Sequence, residues 1–99
     1  MFNLTGQIAI VTGGARSIGK AITAILTDVG AKVAIADINS ELAQETASQF
    51  CAEGKDVISI KTDISDRDSV SAMVKCVYDK WGRIDILVND AGILQDKSL

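Results

Sequence analysis

Gln7-Ile8-Ala9-Ile10-Val11-Thr12-Gly13-Gly14-Ala15-Arg16-Ser17-Ile18-Gly19 sets an apolar run directly against a glycine turn, and a helical pattern opens at its end. A strand that leaves through such a turn and re-enters as a helix presents several unpaired backbone N–H groups to one spot. The helix dipole adds about half a positive charge there. Two phosphates can be held at that spot without a lysine or arginine. The stretch therefore reads as a pyrophosphate-binding turn, and the chain as a nucleotide binder.

Within the turn, Gly13 suits the sharp exit from the strand and Gly19 suits close packing of the helix on the sheet. Ser17 occupies the place where a glycine would let a phosphate approach most closely. Its hydroxyl can either cap the helix or donate to a phosphate oxygen, and N-cap preferences favour the cap. Arg16 reads equally as a solvated loop cation and as a phosphate or 2′-phosphate contact. Asp37 closes the next apolar run, 24 residues after Gly13, at the spacing of a ribose-binding acid. Each charge-assisted bond to a ribose hydroxyl is worth about 1.5–3 kcal/mol before desolvation. The same carboxylate repels a 2′-phosphate, which favours NAD over NADP. Ile38 suits an adenine face, and loop or core packing explains it as well.

Working outward, four apolar runs alternate with three amphipathic segments, the pattern of an α/β fold with a parallel sheet. The strands are expected at Gln7–Thr12, Lys32–Asp37, Val57–Lys61 and Ile84–Val88. The first helix is expected to turn Ile18, Ala21, Ile22, Ile25, Leu26 and Val29 inward and to stop at Gly30. The second, capped by Asn39 or Ser40, places Leu42, Ala43, Ala47, Phe50 and Cys51 inward and ends at Gly54. The third follows Ser65-x-x-Asp68, a capping-box pattern, and carries the stripe Val70, Met73, Val74, Val77, Tyr78 and Trp81 up to Gly82. Tyr78 and Trp81 read as core. The partial alternation of the third strand suits an edge. Right-handed crossovers give the strand order 3-2-1-4 with helices on both faces, a doubly wound sheet. Its crevice opens between strands one and four, where Gly13, Ser17 and Asn89 arrive.

Ninety-nine residues with 47% hydrophobic content allow one domain or part of one. A net charge of −3 with interspersed signs gives no footprint for nucleic acid or an anionic membrane. Cys51 and Cys76 are too few for a disulfide framework and no histidine can complete a zinc cluster, so no metal is expected and both thiols read as reduced and buried. No run reaches the roughly 18 apolar residues of a membrane span, and with no targeting segment the expected location is the cytoplasm.

Taken together, Thr12-Gly13-Gly14-Ala15-Arg16-Ser17-Ile18-Gly19, Ala36-Asp37-Ile38-Asn39, Thr62-Asp63-Ile64-Ser65 and the segment Trp81–Gly92 resemble the short-chain dehydrogenase/reductase family, with its Rossmann-like fold, from Leu4 to about Leu94. The resemblance implies that Gly13, Arg16, Ser17, Ile18 and Gly19 lie at the cofactor pyrophosphate, that Asp37 selects NAD with Ile38 beside it, and that Asp63 contacts adenine. It implies too that Asn89, Ala91 and Gly92 support the central sheet beside the cofactor. Ser17 replaces the middle glycine of the family's T-G-x-x-x-G-x-G, and Asp90 the second asparagine of its N-N-A-G.

Family chemistry uses a Tyr-x-x-x-Lys pair with a serine and a further asparagine, all located after N-N-A-G. Tyr78 is the only tyrosine here, and Gly82 stands where the lysine would be. The resemblance thus implies that the complete protein, a homo-oligomer, transfers a hydride between NAD and an alcohol or ketone, and that residues 1–99 are the N-terminal, cofactor-binding part of its single domain. Alone they are expected to be inactive and to aggregate, self-associate or be marginally stable. A non-catalytic nucleotide-binding or interaction module complete at Leu99 is the alternative, and the coding sequence beyond Leu99 separates the two. A nucleotide-sugar epimerase relative is a third reading, against which Asn89-Asp90-Ala91-Gly92 argues.

Overall fold

Residues 3–90 are described by a computed structural model. The order along the chain is β1 (Ile8–Thr12), α1 (Ser17–Asp28), β2 (Lys32–Asp37), α2 (Ser40–Ala52), β3 (Val57–Lys61), α3 (Arg67–Trp81) and β4 (Ile86–Asn89). The four strands form one sheet in the order β3-β2-β1-β4, every pairing parallel. β1 and β2 are interior and buried on both faces, which is why their sequences are continuous apolar runs rather than alternating ones. β3 lies at the edge and is only partly covered, as its alternation suggests.

Each face of the sheet carries its own core. Ala9, Val11, Val33 and Ile35 point to the α1/α2 side and meet Ala43, Ala47 and Phe50, with Ile22 and Leu26 against them. Ile8, Ile10, Ala34 and Ala36 point the other way and meet Met73 and Val77 of α3. The arrangement is the doubly wound α/β architecture, with helices on both faces.

Several expectations are corrected. On α1, Ile18 and Ile25 are 59% and 65% exposed and Ala21 is exposed too. The buried line is Gly19, Thr23 and Thr27. Gly19 sits so tightly on the preceding turn that it fixes the helix's rotation, and the hydroxyls of Thr23 and Thr27 make that line burial-compatible by donating to Gly19 O (2.9 Å) and Thr23 O (2.8 Å). On α3, Met73 and Val77 are buried while Val74 and Tyr78 are exposed and Trp81 is half-buried, because one helix on one sheet face covers a narrower stripe than its apolar pattern offers. Asp66, not Ser65, caps α3 by accepting from Asp68 N (3.0 Å), since the helix begins at Arg67 and Ser65 lies one residue too early, its hydroxyl turned to Asp63 Oδ1 (2.6 Å).

β4 starts at Ile86 rather than Ile84. Asp85 just before it uses its carboxylate to accept from Ile8 N (2.8 Å) and from the Arg83 guanidinium. Both cysteines are exposed rather than buried. Cys51 and Cys76 each neighbour a core residue, Phe50 and Val77, and so point away from the core; Cys51 donates its thiol to Val57 O (3.2 Å). Among the described residues no helix is long and apolar enough to cross a membrane.

Candidate functional site

Gly13 leaves β1 with φ 71°, a left-handed conformation that suits glycine. Its N–H donates to Ala36 O (2.7 Å), tying the turn to β2, and its carbonyl accepts from Arg16 N (3.1 Å). A methyl group at Gly19 would stand 2.4 Å from Gly13 O and 2.7 Å from Gly14 Cα. Gly19 therefore closes the helix onto the turn itself rather than onto the sheet. Gly14, passed over in the sequence reading, is confined as well: a Cβ there would meet Ile35 and Val11 O at 3.0 Å. The only signal for it was a second glycine in the same turn.

Arg16 is the N-cap of α1, and no side chain caps that helix. Ser17 is its first residue, exposed, with a hydroxyl that bonds nothing among the described residues. The expected Ser17 cap is thus corrected: the chain enters helical geometry one residue earlier than the cap pattern implies. The first-turn amides and dipole remain available to an anion.

Asp37 ends β2 with its side chain 1% exposed. Oδ1 accepts from Asn39 N (2.9 Å) and lies 3.5 Å from Arg16 Nη2. Oδ2 is buried and has no partner among the described residues. A buried polar atom left unsatisfied costs about 1–3 kcal/mol, so this oxygen is an acceptor in need of a donor. A diol fits it. The ion pair joins the turn after β1 to the end of β2, and no local spacing announces it. Ile38, next in the chain, is exposed, an open apolar surface rather than core.

Parallel pairing delivers the other candidates to the same sheet edge. In spatial order the carboxyl ends of the strands carry Thr62-Asp63, Asp37, Thr12-Gly13 and Asn89. Asp63 Oδ1 accepts from both the hydroxyl and the N–H of Ser65, which lowers its pKa below the usual carboxylate value. The Asp63 N–H donates to the Ser69 hydroxyl (2.9 Å). Asn89 Oδ1 accepts from the Thr12 hydroxyl (3.0 Å), a bond between register partners that bridges the crevice at its base. Thr12 was not singled out from sequence. Ala91 and Gly92 lie outside the described residues. No group of three His, Cys, Asp or Glu placed to hold a metal occurs among the described residues.

The sequence profile described as short chain dehydrogenase matches residues 7–99. An uncharacterized oxidoreductase of Thermotoga maritima is 40% identical over 97% of the chain, which spans 38% of that relative. A solved 7α-hydroxysteroid dehydrogenase complexed with NADH and 7-oxo glycochenodeoxycholic acid superposes with a TM-score of 0.84 at 33% identity, over 88% of this chain and 34% of that one. A short chain dehydrogenase/reductase from Burkholderia phymatum in complex with NAD gives a TM-score of 0.83 at 28% identity, covering 88% and 31%. The chain thus spans between 31% and 38% of the length of each of these relatives.

Proposed function

The chain belongs to the short-chain dehydrogenase family, and from that premise we propose that it forms the NAD-binding part of an oxidoreductase acting between an alcohol and a ketone. The observation that carries the reading is the unpartnered, buried Oδ2 of Asp37 beside an uncapped helix N-terminus. Backbone amides at Ser17, Ile18 and Gly19 hold the pyrophosphate where the chain turns at Gly13, helped by the α1 dipole. Asp37 accepts from the adenosine ribose hydroxyls. Ile38 and Asp63 flank the adenine. Asn89, held by Thr12, stiffens the sheet end. The crevice between β1 and β4, where the strand order reverses, supports a cofactor pose with its reactive end on the Asn89 side.

When bound, the nicotinamide of NAD supplies the hydride acceptor. The described residues supply binding and orientation. Tyr78 is exposed on α3 with Gly82 four residues on, so proton transfer to substrate is assigned to residues outside this set. That the dehydrogenase from Burkholderia phymatum was solved with NAD supports NAD as the cofactor here.

Fluorescence titration of the full-length protein tests the reading: NADH binds at least about tenfold more tightly than NADPH, as one charge-assisted bond gained against like-charge repulsion requires. Equal or inverted affinities would overturn the role given to Asp37.

A further inference from the structure

We infer that the Ser17 hydroxyl is a direct ligand of the cofactor diphosphate, a side-chain donor that this chain adds to the free amides at the start of α1. The inference rests on the pyrophosphate role proposed for the turn. The first bond of α1 runs from Lys20 N to Arg16 O (2.6 Å), and Arg16 N is taken by Gly13 O (3.1 Å). The amides of Ser17, Ile18 and Gly19 are therefore the ones left facing off the helix end. Ser17 is exposed, and its hydroxyl has no partner among the described residues. A cap must sit one residue earlier, where Arg16 stands and caps nothing, so the hydroxyl is spare rather than spent on the helix. Three amides and one hydroxyl then converge as donors, a set that suits an anion with several acceptor oxygens. Asp37 argues independently that a ligand rather than solvent completes this edge of the sheet. Its side chain is 1% exposed, its Oδ2 is unpartnered, and its Oδ1 lies 3.5 Å from the guanidinium of the residue preceding Ser17. A glycine at position 17 would let a phosphate close on the bare backbone. The Cβ of Ser17 holds the phosphate off, and the hydroxyl spans the gap.

Titration of the full-length protein, Ser17→Ala and Ser17→Thr with NADH, followed by displacement of NADH with ADP or adenosine, tests the assignment. Ser17→Ala weakens NADH and ADP about tenfold, one hydrogen bond lost to a charged oxygen, while adenosine, which has no phosphate, changes less than about twofold. Ser17→Thr keeps the hydroxyl and stays within about threefold of the parental protein for all three. The urea midpoint of Ser17→Ala matches the parental one, as expected of an exposed side chain that holds nothing together. A Ser17→Ala protein that binds NADH and ADP as the parental one does overturns the inference. So does a loss that falls equally on adenosine, or a Ser17→Thr protein as weak as Ser17→Ala. Should Ser17→Ala fail to fold, Ser17→Cys takes its place, since a thiol is a weak donor of similar size, and the same split between ADP and adenosine is expected. A parental protein that binds neither NADH nor ADP instead defeats the pyrophosphate role of the turn.

Discussion

Gly19 has no room for a side chain, because a methyl there would lie 2.4 Å from the Gly13 carbonyl oxygen. Gly19→Ala must push the turn off the helix and should destabilise the fold by about 1–3 kcal/mol, the usual cost of overpacking, as read by urea denaturation. The tight turn at Gly13 and the place of Asp37 at the end of β2 are legible in the sequence because each follows from its offset to a strand end, whereas the surface that Gly19 packs against is not. The Arg16–Asp37 contact is not, since it depends on how the turn after β1 meets the end of β2. Ser17 was misjudged because residue preference cannot say at which position the backbone turns helical.

Two other carboxylates tie residue chemistry to pH. Hydrogen bonds from Ser65 lower the pKa of Asp63, and bonds from Arg83 and from Ile8 N–H lower that of Asp85. A depressed folded pKa means that the unfolded chain binds protons first, so the stabilisation is complete above the unfolded value near ~3.9 and is lost as pH falls through the lower folded values. Asp85→Asn should therefore flatten the loss of urea stability below about pH 4. An acid limb as steep as the parental one would count against this.

At the scale of elements, the strands are nearly as the sequence draws them, because interior parallel strands carry unbroken apolar runs. Helix faces are harder. The apolar positions of α1 and α3 outnumber what one sheet face can cover, and steric details such as the Gly19 contact choose among them. Asp66 caps α3, so Asp66→Ala should cost about 1 kcal/mol in thermal or urea melts. Met73 is buried against the sheet and Tyr78 is exposed; Met73→Ala should cost about 2–5 kcal/mol and Tyr78→Ala less than about 0.5 kcal/mol in the 99-residue chain. Equal costs would mean that α3 is rotated from the orientation seen.

For the molecule as a whole, crossover handedness makes the strand order 3-2-1-4 legible before any side chain is placed. What it cannot convey is how much of β4 is covered. Among the described residues β4 pairs only with β1, and Leu87 on it is 65% exposed. An apolar edge of this kind invites pairing with another chain, so the 99-residue chain should self-associate in sedimentation velocity experiments, and Leu87→Lys should shift it toward monomer. The central claim, that the turn after β1 and the acid after β2 together grip a dinucleotide, is tested most directly by NMR. Addition of NAD to the isotopically labelled full-length protein should move the backbone amide signals of Gly13, Ser17, Ile18, Gly19 and Asp37 more than those of α3. Binding that leaves those five signals in place, or no binding at all, would contradict it.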